Sequence, residues 1–229
     1  MRIGGFQKIS LIDYPRKISS VIFTCGCNFR CPYCHNPELV MSEIFPEPVN
    51  EKDIFSFLKE KKEKVDGVVI TGGEPTIHPD LPRFMEKVKK MGYSIKLDTN
   101  GSNPEMLGRI IKYGLVDYIA MDIKAPLTKY SKITRTNVDI EKIARSIQLI
   151  FESGIEYEFR TTVVKELLSI EDILDIGSMI RGAKLYVLQR FIPSKTLKPD
   201  FLSKTTLSQE EFKNLKKMLE KLVDKCFVR

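Results

Sequence analysis

The chain is organised around residues 25–36, CGCNFRCPYCHN, which hold four of its five cysteines and one of its two histidines. This loop directly follows Ser20–Thr24, a β-branched and aromatic run that is predicted to be the first strand of a sheet. Three of the cysteines, Cys27, Cys31 and Cys34, have the spacing Cys-x3-Cys-x2-Cys. Because thiolates select zinc, copper(I) or iron–sulfur clusters, the loop is predicted to bind a metal.

The number of regularly spaced cysteines helps to distinguish a zinc site from an iron–sulfur cluster. A structural zinc site needs four protein ligands, usually in two separated pairs, and an ordinary four-iron cluster also takes four cysteines. The only distant cysteine is Cys226, so no second pair exists. Three thiolates would leave one iron open, as catalytic zinc sites keep a position open for substrate. The spacing therefore indicates a cluster that binds a further ligand. The alternative is a zinc site in which Cys25 joins the three cysteines, with or without His35.

Predicted strands and helices alternate through the rest of the chain. The strands are predicted at 20–24, 68–71, 94–97, 118–121, 156–164 and 184–191. The helices are predicted at 51–64, 81–91, 104–113, 139–153, 169–180 and 208–223. This alternation predicts an α/β fold with a parallel sheet. Because a full eight-unit barrel takes about 250 residues, we expect a partial (β/α)6 TIM-like barrel that is open on one side. An open doubly wound sheet is the alternative, although no Gly-x-Gly-x-x-Gly follows the first strand.

The length of 229 residues predicts one domain. We divide it into an N-terminal arm or hairpin (1–19), a (β/α)6 core (20–191), and a basic loop with a C-terminal helix (192–229). The segment 37–50 contains three prolines and is predicted to be loop. The basic segments 125–137 and 192–207 are expected to contact a partner protein.

Composition excludes several classes of protein. The hydrophobic fraction of 42% and the charged fraction of 29% are ordinary for a soluble globular chain. No apolar run approaches the roughly 18 residues of a membrane span, and the first residues lack the apolar segment of a signal peptide. We therefore expect a cytoplasmic protein with reduced thiols and no membrane partner. The net charge of +7 is spread over helices that also carry glutamates, and no aromatic-plus-basic motif is present, so nucleic acid is not an expected partner.

Polar and glycine residues follow three further strands, each at its carboxyl end. In a parallel α/β barrel these ends lie on one face, which is where active sites are found. We therefore expect these side chains to surround the cysteine loop, although each of them alone also fits a turn or a helix cap. They are Gly72, Gly73, Glu74, Asp98, Thr99, Asp122 and Lys124.

These motifs carry a family resemblance. The cysteine spacing, with an aromatic residue before the last cysteine, resembles the signature of the radical S-adenosylmethionine (SAM) superfamily, and GGEP at 72–75 resembles its Gly-Gly-Glu motif. More narrowly, CNFRCPYCHNP at 27–37, DTNG at 98–101 and MDIK at 121–124 look like the glycyl-radical-enzyme activating enzymes. The likeness is nearest to the branch that activates anaerobic ribonucleoside-triphosphate reductase, whose sequences also look like pyruvate formate-lyase activase.

The resemblance implies a cofactor, a reaction and two protein partners. In the family, three cysteines hold a [4Fe–4S] cluster and SAM chelates the open iron, so Cys27, Cys31 and Cys34 are the implied catalytic ligands. One electron cleaves SAM, and the 5′-deoxyadenosyl radical abstracts hydrogen from a glycine of a partner enzyme. The implied partners are a glycyl radical enzyme, for which we predict anaerobic ribonucleotide reductase, and a one-electron donor such as flavodoxin or ferredoxin. The basic segments 125–137 and 192–207 are expected to dock the glycyl radical enzyme.

The resemblance also assigns side chains around SAM. Tyr33 matches an aromatic position on the adenine side, and Arg160 matches an arginine that faces the substrate. Asp98, Thr99 and Asp122 match positions that bind a monovalent cation beside the SAM carboxylate. The full set of implied SAM contacts is Tyr33, His35, Asn36, Gly72, Gly73, Glu74, Asp98, Thr99, Asp122 and Lys124.

The chain also departs from the family pattern. Cys25 stands where relatives commonly have another residue, and we assign neither Cys25 nor Cys226 as a ligand. Phe191 stands where pyruvate formate-lyase activase has a histidine, which counts against that enzyme as the match. His78 is predicted to be an ordinary surface histidine. The open alternatives are an activase of the pyruvate formate-lyase type, a radical SAM enzyme acting on a small molecule or peptide, and a non-catalytic thiolate metal protein.

Overall fold

A computed structural model describes all 229 residues. Its framework is one sheet of eight strands in the spatial order β1 to β8. Every neighbouring pair is parallel except β1 and β2, which form an antiparallel hairpin. The strands are β1 Ile3–Ser10, β2 Ser19–Thr24, β3 Gly67–Gly72, β4 Ser94–Thr99, β5 Tyr118–Asp122, β6 Glu156–Val163, β7 Tyr186–Arg190 and β8 Cys226–Val228. Because β1 and β8 are the two edges, the sheet is open, and the predicted partial barrel is confirmed.

Helices follow strands β2 to β7, as the alternation predicts. They are α1 Pro37–Val40, α2 Glu51–Glu60, α3 Leu81–Lys90, α4 Pro104–Lys112, α5 Tyr130–Thr134, α6 Ile140–Glu152, α7 Ile170–Met179 and α8 Gln209–Leu219. Capping boxes open two of these helices: Ser169 with Asp172 opens α7, and Ser208 with Glu211 opens α8. None of the helices is long and apolar enough to cross a membrane.

Four predictions about the elements are wrong. The segment 37–50 is not all loop, because Pro37 opens the short helix α1 and a 3-10 turn follows at Ser42–Ile44. Helix α2 ends at Glu60 and helix α8 ends at Leu219, each four residues early, and a turn follows each of them. The segment 192–229 contains more than a loop and a helix, because β8 pairs with β7 as a last parallel strand.

Apolar side chains fill the space between the sheet and its helices, and a small second cluster lies on the inner face of the sheet. That inner cluster contains Tyr14, which the N-terminal hairpin loop places against Val21, Val69, Tyr118 and Ala120. Beyond this cluster, the inner faces of the strands carry polar and charged side chains. The interior of the open barrel is therefore a polar cavity at one end, which is where the site lies.

Candidate active site

One cavity of about 350 Å³ lies at the carboxyl ends of the parallel strands and extends over the inner face of the sheet. Its volume falls within the roughly 300–1,000 Å³ of small-molecule sites. The structure brings together in its lining every site residue that the sequence predicts. These are Cys27, Cys31, Tyr33, Cys34, His35, Asn36, Gly72, Gly73, Glu74, Asp98, Thr99, Asp122, Lys124 and Arg160. Their convergence is observed; the roles assigned to them stay predictions.

The three spaced cysteines all face this cavity and form no disulfide. The Phe29 backbone N–H donates to the Cys27 sulfur at 3.4 Å. Burial raises the pKa of Cys27 to about 12 and the pKa of Cys31 to about 11, and it also raises the pKa of Cys34. The metal-free thiols are therefore neutral at physiological pH, and a bound metal would displace their protons.

Cys25 lies outside this group. It is buried away from the cavity, with its sulfur packed where a side chain on Gly4 would otherwise lie. Its carbonyl oxygen accepts a hydrogen bond from His78 Nε2 at 2.9 Å, so the prediction of His78 as an ordinary surface histidine is wrong. This geometry agrees with leaving Cys25 unassigned as a ligand.

The metal-free side chains of the cavity are not arranged around a single ion. No group of three or more His, Cys, Asp or Glu side chains lies close enough together to hold a single metal ion. A four-iron cluster takes one cysteine per iron, so its ligands need not converge on one ion.

The two glycines after β3 allow the backbone to pass close to the cysteine loop. Gly72 has a φ of +114°, and a Cβ there would overlap the backbone of Thr24. A Cβ at Gly73 would overlap the Gly26 carbonyl oxygen. The Glu74 backbone N–H donates to that same oxygen at 2.7 Å. The glycines therefore hold the end of β3 against the cysteine loop.

Glu74 is almost completely buried, with 1% of its surface exposed. Its Oε1 accepts from the Thr76 backbone N–H and hydroxyl and from the Thr99 hydroxyl, at 2.5–3.0 Å. Its Oε2 accepts only from the Asn100 backbone N–H, at 2.6 Å. Burial raises the pKa of this carboxyl, against the effect of these hydrogen bonds. Glu74 therefore ties the loop after β3 to the loop after β4, and Oε2 keeps an acceptor position.

Charged side chains form a chain of ion pairs along the cavity. Arg160 Nε lies 2.7 Å from Asp122 Oδ1, and Arg160 Nη1 lies 3.1 Å from Asp98 Oδ2. Lys124 pairs with Asp122 at 3.0 Å, and the buried Lys96 pairs with Asp98. Burial by itself would raise the pKa of Asp122, but the charges of Arg160 and Lys124 outweigh it and hold that pKa well below its usual range.

Arg160 thus occupies the position between the carboxylates that the sequence assigns to a monovalent cation. Its guanidinium bridges Asp98 and Asp122 and relieves their mutual repulsion. Burial alone would lower the pKa of Arg160, but the two carboxylates raise it above its usual value.

His35 is fixed at the edge of the cavity by two contacts. Its ring stacks on Phe191, with centroids 5.5 Å apart and planes 4° from parallel. Its Nε2 donates to the Ile192 carbonyl oxygen at 2.9 Å. Phe191, which stands where pyruvate formate-lyase activase is expected to have a histidine, therefore contacts His35, a predicted SAM contact.

Sequence reasoning missed several residues that line the cavity. Thr162 and Gln189 lie on the inner faces of β6 and β7 and approach each other within 3.4 Å. Thr162 is two residues after Arg160 on the same strand, so the alternation of side chains predicts that both point to the same face of the sheet. Asp13 comes from the N-terminal hairpin loop and has no local signal. The others are Phe29, Val40, Thr71 and Asn100.

The side chains present fit a [4Fe–4S] cluster with SAM. Three soft thiols share one loop, and a backbone N–H already donates to a thiol sulfur, as hydrogen bonds do at iron–sulfur sites. The cavity also carries cationic and anionic groups, Lys124 and Arg160 beside Asp98 and Asp122, which suit a zwitterionic amino-acid group. The site can therefore hold both groups side by side.

Comparisons with known proteins agree with this chemistry. The family model of the radical SAM superfamily matches residues 21–178. A Methanocaldococcus jannaschii protein assigned as a glycyl-radical enzyme activating enzyme is 35% identical over 235 residues, covering 99% of this chain and 95% of its own. The pyruvate formate-lyase-activating enzyme of Clostridium pasteurianum is 26% identical over 246 residues, covering 97% and 98%.

Solved structures share the fold. A domain of the pyruvate-formate lyase-activating enzyme from Bacteroides vulgatus superposes with a TM-score of 0.57 at 19% identity, covering 71% of this chain and 98% of that one. The chain therefore belongs to the radical SAM superfamily, among its glycyl-radical-enzyme activating enzymes, which use a [4Fe–4S] cluster and S-adenosylmethionine.

Proposed function

We propose that this enzyme installs the glycyl radical of anaerobic ribonucleoside-triphosphate reductase. The observation that carries the choice of partner is Phe191, which stacks on His35 where pyruvate formate-lyase activase is expected to have a histidine. The motifs at 27–37, 98–101 and 121–124 support the same branch. An activase of the pyruvate formate-lyase type is the second candidate, favoured by a relative of that name that matches almost the whole chain.

The cluster, when bound, supplies one electron that splits SAM into methionine and a 5′-deoxyadenosyl radical, which takes a hydrogen atom from the partner's glycine to give 5′-deoxyadenosine. In the proposal, the chain holds the reacting groups in a cavity where a partner's glycine can reach them. Cys27, Cys31 and Cys34 hold the cluster. The buried aromatic ring of Tyr33 excludes water beside it.

The charged side chains of the cavity are proposed to hold the amino-acid end of SAM. The positive charge of Lys124 lowers the pKa of all three thiols, Cys27, Cys31 and Cys34, against the effect of burial. It therefore suits the SAM carboxylate. Glu74 Oε2, with one hydrogen bond, suits the SAM ammonium. Gly72, Gly73 and Asn36 would then supply backbone surface close to it.

The monovalent cation remains a prediction. Asp98, Thr99 and Asp122 lie at the predicted place, but Arg160 already pairs with both carboxylates. A cation would have to share these oxygens with the guanidinium. SAM affinity measured with potassium and with choline at equal ionic strength tests this, and equal affinities would contradict a cation site.

Reconstitution with iron and sulfide tests the proposed function. The loaded enzyme is reduced without oxygen and mixed with SAM and either purified anaerobic ribonucleotide reductase or purified pyruvate formate-lyase. We expect 5′-deoxyadenosine, and a glycyl radical signal in the paramagnetic resonance spectrum of the reductase only. A radical on pyruvate formate-lyase alone would select the second candidate. SAM cleavage with no radical on either would contradict both partners and favour a small-molecule or peptide substrate.

A further inference from the structure

The cysteine loop has two sides, and each side faces a different cavity. Phe29, Cys31 and Tyr33 line the SAM cavity, while the alternate residues Arg30 and Pro32 line a second cavity of about 690 Å³. The two cavities have no lining residue in common. We call the second cavity the outer groove. A protein bound there would be separated from the cluster site only by the thickness of this loop.

Hydrogen bonds attach the walls of the outer groove to the cysteine loop. The Leu197 backbone N–H donates to the Cys34 carbonyl oxygen at 2.9 Å, and the Lys198 backbone N–H donates to the Pro32 carbonyl oxygen at 3.0 Å. On the other side, the Arg30 backbone N–H donates to the carbonyl of the residue before Arg135 at 2.8 Å. The groove wall is thus bonded directly to the carbonyl of a predicted cluster ligand.

The outer groove combines an apolar surface with unpaired positive charge. Arg30, Arg135 and Lys198 are exposed, and none of them is within ion-pair distance of an acidic group. Asp200 is the only acidic residue in the lining. The apolar part of the lining is Pro32, Pro37, Met41, Ile44, Leu197 and Phe201. An apolar centre with a charged rim is the usual composition of a protein interface.

We propose that the outer groove docks an acidic one-electron carrier protein of the flavodoxin or ferredoxin class. The inference rests on the radical SAM chemistry and not on the identity of the glycyl radical partner. One electron leaves the reduced carrier and enters the cluster, and no bond or proton changes place in this step. The basic rim favours an acidic carrier, since complementary charge speeds association and selects the partner. The glycyl radical partner must instead deliver its glycine to the SAM cavity, which has no lining residue in common with the outer groove.

Charge reversal in the groove tests the docking site. The test variant is Arg135→Glu with Lys198→Glu, which leaves the residues of the cysteine loop unchanged. The matched control is Lys59→Glu with Lys112→Glu, on exposed positions of α2 and α4, which changes the net charge equally. Each loaded enzyme is titrated with flavodoxin by calorimetry at low and high salt. The rate of cluster reduction by reduced flavodoxin and SAM cleavage driven by dithionite are measured as well.

We expect the test variant to bind flavodoxin about tenfold or more weakly at low salt, with a smaller difference at high salt because salt screens exposed charges. Cluster reduction by flavodoxin should slow in parallel, while dithionite-driven cleavage stays at the wild-type rate. An equal loss of affinity in the control would overturn the proposal, as would loss of dithionite-driven cleavage in the test variant. Unchanged flavodoxin binding with weakened binding of the glycyl radical partner would assign the groove to that partner instead. Flavodoxin binding, cluster reduction and dithionite-driven cleavage need no reductase, so a wrong reductase assignment would not affect these three measurements.

Discussion

Arg160 is the side chain on which the charge balance of the SAM cavity depends. It contacts Asp98 and Asp122 at once and is only 11% exposed. Each carboxylate has one further cation, Lys96 and Lys124 respectively. Without the guanidinium, two partly buried carboxylates of adjacent strands would face each other with less positive charge between them. This position therefore affects stability as well as ligand binding.

Replacement of Arg160 by glutamine should lower the free energy of unfolding by about 3 kcal/mol, as expected when one partner of a buried ion pair is removed. The second substitution Asp122→Asn in the same chain should restore part of that loss, because it removes one of the two carboxylates that would otherwise repel each other. Urea unfolding of the wild type, both single variants and the double variant measures the coupling. Additive effects of the two substitutions would contradict the bridge.

The cysteines divide into ligands and non-ligands by the direction of their side chains. Alanine at Cys27, Cys31 or Cys34 should each abolish tight iron binding and SAM cleavage, since each removes one thiolate from the cavity. Alanine at Cys25 should leave the iron and sulfide content near the wild-type level, because this side chain packs against Gly4 outside the cavity. Iron analysis after anaerobic reconstitution distinguishes the two classes. Equal iron loss in the Cys25 variant would make it a fourth ligand.

Among single residues, the sequence predicts those that are marked by a motif of neighbouring positions. The cysteine spacing and the polar residues directly after each strand lie within a few positions of each other, and the fold brings them into one cavity. Lys96 was missed because it lies inside an otherwise apolar strand, although its partner Asp98 is two residues further along and therefore on the same face of that strand. Two of the four hydrogen bonds of Glu74 were missed because their donors, Thr99 and Asn100, lie at the end of the next strand and in the loop after it.

Among the elements, the end of β3 and the cysteine loop form a single packed unit. The Gly73 backbone N–H donates to the Thr24 carbonyl oxygen at 2.8 Å, and its missing side chain leaves space for the Gly26 carbonyl. The position of the cysteine loop therefore depends on the end of β3, which is distant in sequence.

Alanine at Gly73 should separate these two segments and reduce iron binding after reconstitution, together with a loss of stability, because the new methyl group meets backbone and not a flexible side chain. Gly108→Ala is the matched control. Gly108 lies within α4, where a Cβ meets only Leu149 at an ordinary 3.6 Å and where alanine favours the helix by about 1 kcal/mol. Iron content and thermal unfolding of both variants test the difference. Full iron binding by the Gly73 variant would contradict this packing role.

The capping box of α8 should make the stability of that helix depend on pH. Glu211 accepts from the Ser208 backbone N–H and pairs with Lys165, and these contacts lower the pKa of Glu211 from its ordinary 4.5 to about 2. A lowered folded-state pKa stabilises the folded chain above the ordinary value, and this contribution is lost as the pH falls from about 4.5 towards 2. The wild type should therefore exceed Glu211→Gln in stability at pH 6.5, and the difference should shrink below pH 4.

Urea unfolding of the metal-free chain checks this dependence, since acid also weakens metal binding by thiolates. A difference between the wild type and the Glu211 variant that stays constant from pH 6.5 to pH 3 would contradict the assignment.

The elements that periodicity predicts are those with a strong local pattern. Strands β2 to β7 and the six longer helices were predicted because apolar runs, caps and terminal glycines mark them. Helix α1 has four residues and β8 has three, which is too short for a periodic signal. β8 exists because the chain returns after α8 to pair with β7, and this pairing is a tertiary contact that no local pattern encodes.

In the whole molecule, the two faces of the open sheet have different roles: the outer face packs against the helices, and the inner face carries the site. Apolar packing between helices and sheet is continuous, whereas the inner face is polar over the site and apolar only around Tyr14. A closed eight-unit barrel would fill this interior with side chains. The open (β/α)6 form instead leaves space for a ligand beside the cluster loop, and ligand binding is expected to stabilise a molecule that has an incompletely filled interior.

SAM should therefore stabilise the whole folded enzyme, provided that the cluster is loaded. A ligand that binds only the folded state adds about 2.7 kcal/mol at a hundred times its dissociation constant. For a chain of this size, that free energy corresponds to a rise in the unfolding temperature of roughly 5–10 °C. The measurement is anaerobic thermal unfolding with increasing SAM, with the reconstituted Cys31→Ala variant as control. That variant lacks a cluster ligand but keeps Lys124, Asp98 and Asp122. A small rise in its unfolding temperature would therefore measure SAM binding by the ion-paired side chains alone. The additional rise in the unfolding temperature of the wild type would measure SAM binding to the open iron. An equal rise in both proteins would mean that SAM is held in this cavity without the cluster.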